Sequence, residues 1–268
     1  MEKIGLIAGN RKFPFLFCEA AKKNGLFIVA VAVKGETSAG LRKLVDKFYW
    51  LHLGEFQRIF EIFKSEGITS AVMAGQISPR RLFSKEINKN EELRSLLSGI
   101  KDKRADTIFG AIAQELKKRG VELLDSTIFL KDYMPAKGVL GACQPDAEVW
   151  EDIRFGLGLA KAVAGLDIGQ TVEVKSKAIV AVEALEGTDN LIYRAGRITR
   201  QGGVAIIKVS KPAQDMRFDI PVVGLNTLKC LIKAGAKCLA IEADKTLFID
   251  REKAVALADR HGISIVAI

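Results

Sequence analysis

The sequence predicts an α/β protein built on a parallel sheet, and three observations carry that prediction. Short runs are apolar at every position, these runs alternate with amphipathic segments of helical period, and glycine-bearing turns stand where the apolar runs end. Strands that are apolar throughout are buried on both faces, which is the condition of a parallel sheet covered by crossover helices.

Taken in order, KIGLIAG near the N-terminus reads as a buried first strand. PFLFCEAAKKNG follows as a helix closed by Asn24-Gly25, and LFIVAVAV, from Leu26 to Val33, as a second strand. A helix from Glu55 to Glu66 leads through Gly67 to the strand SAVMAG. DTIFGAIAQELKKRG, with Asp106 as its expected cap, carries an apolar stripe and a basic last turn before the strand VELLD. Between Asp132 and Asp146, YMPAKGVLGACQP is rich in Pro and Gly with no helical or alternating pattern. A domain boundary is therefore expected there, giving domains 1–134 and 135–268.

The second half opens with a helix from Ala147 to Val163 and continues with two long strand candidates, KAIVAVEALEG and GGVAIIKVSKP, expected to pair with each other. The tail alternates again: GLNTLKCLIKAG as helix, AKCLAIE and TLFID as strands, REKAVALADRHG as helix and ISIVAI as a last strand.

Composition narrows the function. About half of the 268 residues are apolar (49%) and 27% are charged, an ordinary globular balance, and no apolar run approaches the roughly 20 residues a membrane-spanning helix needs. The N-terminus lacks a small-residue cleavage site, and the four cysteines stand singly without metal or disulfide spacing, so a cytoplasmic location is expected. The net charge of +9 suits an anionic membrane face or a phosphorylated substrate. Aromatics do not interleave with the basic runs Arg80-Arg81, Lys101 to Arg104 and Lys117 to Arg119, which speaks against nucleic acid.

Ligands of such sheets bind at the carboxyl ends of strands. Two glycine turns fall there, AGNRKFP with Gly9 and Asn10, and AGQISPRR with Gly75 and Gln76. Each reads either as a phosphate-cradling turn or as a plain tight turn, since neither completes a GxGxxG or Walker pattern. The two histidines, His52 and His261, sit in no metal or triad motif, and no GxSxG occurs. Carboxylates remain. VEALEGTDN sets Glu183, Glu186 and Asp189 about Gly187, with Thr188 as a candidate cap and Arg194 downstream. KPAQDMRFDIPVVGLNT sets Asp215, Arg217 and Asp219 at alternate positions, which would share one face of an extended segment, with Pro221 ending it. Carboxylates with retained waters and a substrate phosphate are the usual surroundings of Mg2+, so phosphoryl chemistry is indicated, with Lys208, Lys211, Arg194 and Arg217 as neutralising cations. Of the first group Glu186 and Asp189 are preferred as metal-facing because they lie at the turn.

EALEGTDNLIYRAG followed by KPAQDMRFDIPVVGLNT resembles the signature of LpxI-type UDP-2,3-diacylglucosamine pyrophosphatases, and GLIAGNRKFP and AGQISPRR resemble that family's two glycine turns. The resemblance implies a Rossmann-like N-terminal domain, a distinct α/β C-terminal domain and substrate bound between them. It implies hydrolysis of UDP-2,3-diacylglucosamine to UMP and 2,3-diacylglucosamine 1-phosphate (lipid X) in lipid A biosynthesis, with Mg2+ or another divalent cation, at the inner-membrane surface as a peripheral protein. A homodimer is left open. Asp219 corresponds to the essential metal-binding aspartate, with Asp215 as partner and Arg217 between them. The candidate metal set is thus Asp219, Asp215, Glu186 and Asp189. Candidate substrate-binding residues are Gly9, Asn10, Gly75 and Gln76 in the glycine turns, Gly187, Thr188 and Arg194 in the first acidic motif, and Lys208, Lys211, Gln214 and Thr227 about the second. Asn10 departs from the glycine expected in the opening turn. Two other classes compete: a nucleotide-sugar binding protein without turnover, and a nicotinamide-dependent oxidoreductase that the incomplete dinucleotide fingerprint disfavours. Phe13, Phe15 and Phe17 are candidates for an acyl surface, although their spacing is that of a core-facing stripe.

Overall fold

A computed structural model describes residues 1–78, 105–200 and 202–268. Arg80-Arg81 and the basic run Lys101 to Arg104 lie outside the described residues, as does the side chain of Asp106. The chain divides into two units, Met1–Leu130 with Asp215–Asp219, and Lys131–Gln214 with Ile220–Ile268.

In the first unit, β1 (Lys3–Ala8), β2 (Phe27–Val33), β3 (Lys47–Leu51), β4 (Ser70–Ala74) and β5 (Glu122–Leu123) form one parallel sheet in the order β3-β2-β1-β4-β5. The crossovers carry α1 (Phe13–Lys23), α2 (Gln57–Glu66) and α3 (Ala105–Lys118). In β2, Val29 and Val31 join Ile59, Phe60 and Phe63 of α2 and Ala113 and Leu116 of α3 in one core. Strand alternation sends the equally buried Ile28, Ala30 and Ala32 to the other face, so every position is apolar because both faces are covered. Phe13 and Phe17 of α1 are buried, as their spacing indicated. The strand KFYWL was not anticipated; its Tyr49 hydroxyl and Lys47 ammonium both donate to the buried carboxylate of Glu66.

The second unit holds a mixed sheet of β6 (Gly138–Val139), β7 (Thr171–Lys175), β8 (Ala178–Val182), β9 (Ala205–Lys208), β11 (Cys238–Ile241) and β13 (Ser264–Ala267), in the order β6-β13-β11-β9-β7-β8. A separate parallel pair joins β10 (Val222–Gly224) to β12 (Leu247–Ile249). On one face α4 (Ala147–Gly165), capped by Asp146 accepting from the Val149 N–H at 2.8 Å, packs Val149, Ile153 and Ala160 on Val172, Val174 and Ile207. On the other, α5 (Thr188–Thr199), α6 (Leu225–Ala234) and α7 (Arg251–Arg260) bury Ile192, Leu228, Leu231 and Ala254 with Ile206, Leu239 and Ile265.

The expected pairing of the two long strands is not observed, because β7 stands between β8 and β9 and pairs antiparallel with both. The segment TVEVK escapes notice because a glutamate interrupts its apolar run. Its turn into β8 also lacks the usual Asn-Gly signal: Ser176 (φ 50°) and Lys177 (φ 57°) supply the two left-handed residues of the hairpin, and the Asp152 carboxylate accepts from both of their N–H groups. The KPAQDMRFDIP segment is likewise a turn and not an extended strand. Pro221 does not close a strand; its carbonyl accepts from the Leu247 N–H at 2.9 Å at the start of β10.

Candidate active site

The first unit reverses its strand order between β1 and β4, and a doubly wound sheet opens its ligand crevice at such a point. Both glycine turns stand there and touch each other. The Gly9 N–H donates to the Ala74 carbonyl and the Asn10 N–H to the Gln76 carbonyl, each at 2.8 Å. A Cβ at Gly9 would lie 2.6 Å from the Gln76 carbonyl oxygen, and one at Gly75, whose φ is +89°, would lie 2.6 Å from the Asn10 carbonyl oxygen. Both glycines are thus required by the approach of the two turns to one another. Glu36, beyond the end of β2, ties the turns together by accepting from Asn10 Nδ2 at 2.6 Å and from the Ser78 N–H at 3.1 Å. Asn10 Oδ1 is buried without a donor.

The acidic turn Asp215–Asp219 belongs to this same unit. Phe218 is its anchor: 5% exposed, it enters the core beside Phe109 of α3, with ring centroids 5.5 Å apart. Ser126, three residues past β5 and fully buried, donates its N–H to the Met216 carbonyl at 2.9 Å. Its Oγ lies 2.6 Å from the Arg217 carbonyl oxygen and 2.7 Å from that of Met73 in β4, and its single proton serves one of them at a time. Within the turn Arg217 donates Nε and Nη2 to the two oxygens of Asp215 at 2.9 and 2.6 Å, which holds the Asp215 carboxyl below the usual range. Asp219 closes the turn with φ +56°, a left-handed conformation that Asp tolerates better than most residues.

The remaining candidates lie in the second unit. Glu186 accepts from Arg194 at 2.7 Å; although burial raises its pKa, this bond with the backbone N–H of Ala184 brings it below the ordinary value. Asp189, in the first turn of α5, accepts from Asn226 of α6 at 2.9 Å. Thr188 is the first residue of α5 after Gly187 and does not cap it; its hydroxyl donates to Glu183 at 2.9 Å and accepts from Lys208 Nζ at 2.8 Å. Lys208, expected as a substrate-binding residue, and Glu183, 6% and 7% exposed and 3.9 Å apart, form a buried pair. Lys211 is held by Asp167 at 2.5 Å, and its N–H donates to Gln214 Oε1; Thr227 is buried in the first turn of α6. Glu183 was recognisable as the last inward position of an apolar strand. Ser126 was marked by Asp-Ser-Thr directly after a strand end, where ligand loops emerge.

Among the described residues no three His, Cys, Asp or Glu side chains group as a metal cluster. Of the four expected carboxylates, Asp215 accepts from Arg217, Glu186 from Arg194 and Asp189 from Asn226. Mg2+ needs only one or two carboxylates with water and phosphate oxygens, and the turn Asp215–Asp219 carries two.

The LpxI N-terminal domain family matches residues 3–133 and the LpxI C-terminal domain family residues 136–266. The chain belongs to the LpxI family. It is 30% identical over 278 residues to the UDP-2,3-diacylglucosamine pyrophosphatase LpxI of Caulobacter vibrioides, covering 100% of this chain and 98% of that protein. Among solved structures, pyruvate carboxylase of Rhizobium etli matches 52% of this chain and 14% of its own at 14% identity and a TM-score of 0.29. The biotin carboxylase domain of Hydrogenobacter thermophilus 2-oxoglutarate carboxylase matches 74% of this chain and 42% of its own at 15% identity and the same TM-score of 0.29. The LpxI chain thus spans less than half of either solved chain. The C-terminal match includes both acidic motifs.

Proposed function

We propose that this LpxI chain hydrolyses the pyrophosphate of UDP-2,3-diacylglucosamine to UMP and lipid X, a step of lipid A biosynthesis, as a peripheral protein at the cytoplasmic face of the inner membrane. One observation carries the reading: in a chain whose two halves both match LpxI, the acidic turn Asp215–Asp219 is built into the first unit beside the carboxyl end of β4. No helix among the described residues is long and apolar enough to cross a membrane, which agrees with surface attachment.

Mg2+ or another divalent cation, when bound, supplies charge neutralisation on the pyrophosphate oxygens. Asp219 is the residue assigned to hold it. Asp215, with both oxygens on Arg217, keeps the turn in shape and stays ionised. The Gly9 and Gly75 turns position the nucleotide part of the substrate, and the buried Lys208 with Thr188 forms a second polar site in the other unit for a phosphate or sugar hydroxyl.

The test is purified protein with UDP-2,3-diacylglucosamine, with Mg2+ and with a chelator, followed by detection of UMP and lipid X. Both products should appear and should vanish in Asp219→Ala. Binding of substrate without release of UMP would favour a nucleotide-sugar binding protein instead, and wild-type turnover in Asp219→Ala would remove Asp219 from the site.

A further inference from the structure

We infer that Ser126 is the positioning residue for Asp219, an inference that rests on the reading of Asp219 as the metal-binding acid. Ser126 makes two polar contacts to the turn that ends in Asp219 and one to β4. Its N–H holds the Met216 carbonyl at 2.9 Å, and its hydroxyl stands between the carbonyl oxygens of Arg217 at 2.6 Å and Met73 at 2.7 Å. Met73 is the penultimate residue of β4, so this one buried hydroxyl lies between the backbone two residues before Asp219 and the strand end that carries Gly75, donating to one or the other. Phe218 fixes the depth of the turn in the core beside Phe109. The Ser126 contacts add to this a hold on the main chain of the turn itself, at Met216 and Arg217.

Side chains that act on reacting groups lose large factors in rate when displaced by about 1 Å. Ser126→Ala keeps the N–H bond and loses the hydroxyl, so the Arg217 and Met73 carbonyls lose the one donor they share. The expected result is a fall in kcat of about tenfold or more with KM changed less than about twofold, because the substrate still meets the same glycine turns. Hydrogen exchange of the peptide covering residues 212–222 should be about tenfold faster. The control is the adjacent Thr127→Val, which removes a buried hydroxyl whose hydrogen bond goes to Asp125; kcat and exchange at 212–222 should stay as in wild type. A kcat for Ser126→Ala within twofold of wild type, unchanged exchange, or an equal loss in Thr127→Val would each overturn the inference. Asp219→Asn separates the two levels of the argument. If it is inactive while Ser126→Ala is fully active, only the positioning role falls; if it turns over normally, the reading of Asp219 falls first.

Discussion

Glu173 in the middle of β7 is fully buried, and neither carboxylate oxygen has a hydrogen-bond partner. Its neighbours across the sheet are Ala181 of β8 and Ile206 of β9, while Leu191 and Ala195 of α5 pack with Ala181. Burial pushes its pKa from 4.5 to about 8, and the charge of Arg194, which is already bonded to Glu186, lowers it only weakly. The folded chain therefore keeps a proton there that the unfolded chain releases above pH 4.5. Between 4.5 and about 8 each unit of rising pH favours the unfolded state, so stability present below 4.5 is lost progressively and the loss is complete above about 8. At about 1.4 kcal/mol per pH unit the whole window amounts to about 5 kcal/mol, an upper figure because a solvent-relaxed carboxylate costs less. Glu173→Gln removes the titration while keeping the shape. The assay is urea unfolding at pH 5, 7 and 9, read from Trp150 of α4 in a Trp50→Phe background so that only the second unit reports. The Gln variant should gain on its parent by about 1 kcal/mol or more per pH unit from 5 to 8 and hold that gain at pH 9. Parallel pH profiles for the two proteins would refute the claim that Glu173 is neutral in the fold.

Three further outcomes follow from the geometry. Lys208→Met or Glu183→Gln alone leaves its buried partner uncompensated and should cost about 3–5 kcal/mol, whereas the double variant should lose much less than the sum, measurable by thermal unfolding. Gly75→Ala places a Cβ 2.6 Å from the Asn10 carbonyl at a φ of +89°; a destabilisation of at least about 1 kcal/mol and a raised KM are expected in unfolding and steady-state assays. Asp215→Asn breaks the pair with Arg217, whose partners are 32% and 43% exposed, so the stability lost should be on the order of 0.5–1 kcal/mol. Since the hydrogen bond from Arg217 lowers the Asp215 pKa, that contribution is present above pH 3.8 and lost as pH falls below it, and an acid titration of the two proteins should converge there.

The elements legible in the sequence are those whose apolar pattern has one explanation. FIVAVAV is apolar at every position, and KIGLIAG and SAVMA at every position after the first, because both faces of their sheet are covered, and the amphipathic α2 and α6 show a helical stripe beside a polar face. Where a polar group is buried the pattern misleads: Glu173 conceals β7, and with it the hairpin that separates β8 from β9. The alternation of Asp215, Arg217 and Asp219 suggested a strand face because period two is the signature of extended chain. The same spacing also suits a tight turn in which residue i accepts from the N–H of i+2, as Asp215 does from Arg217 at 3.1 Å. Local sequence does not distinguish the two. Nor does it say that a phenylalanine from the second half completes the core of the first, since burial of Phe218 depends on Phe109, far away along the chain.

That last feature bears on modularity. A cut at the linker after residue 134 yields two pieces of conventional domain length, yet the N-terminal piece would lack Phe218 and the carbonyls that Ser126 engages. Its hydrophobic interior would open to solvent beside Phe109, and the C-terminal piece would carry an unanchored loop with an exposed aromatic ring. The loop that bears the acids thus carries a piece of the first unit within the second half of the chain.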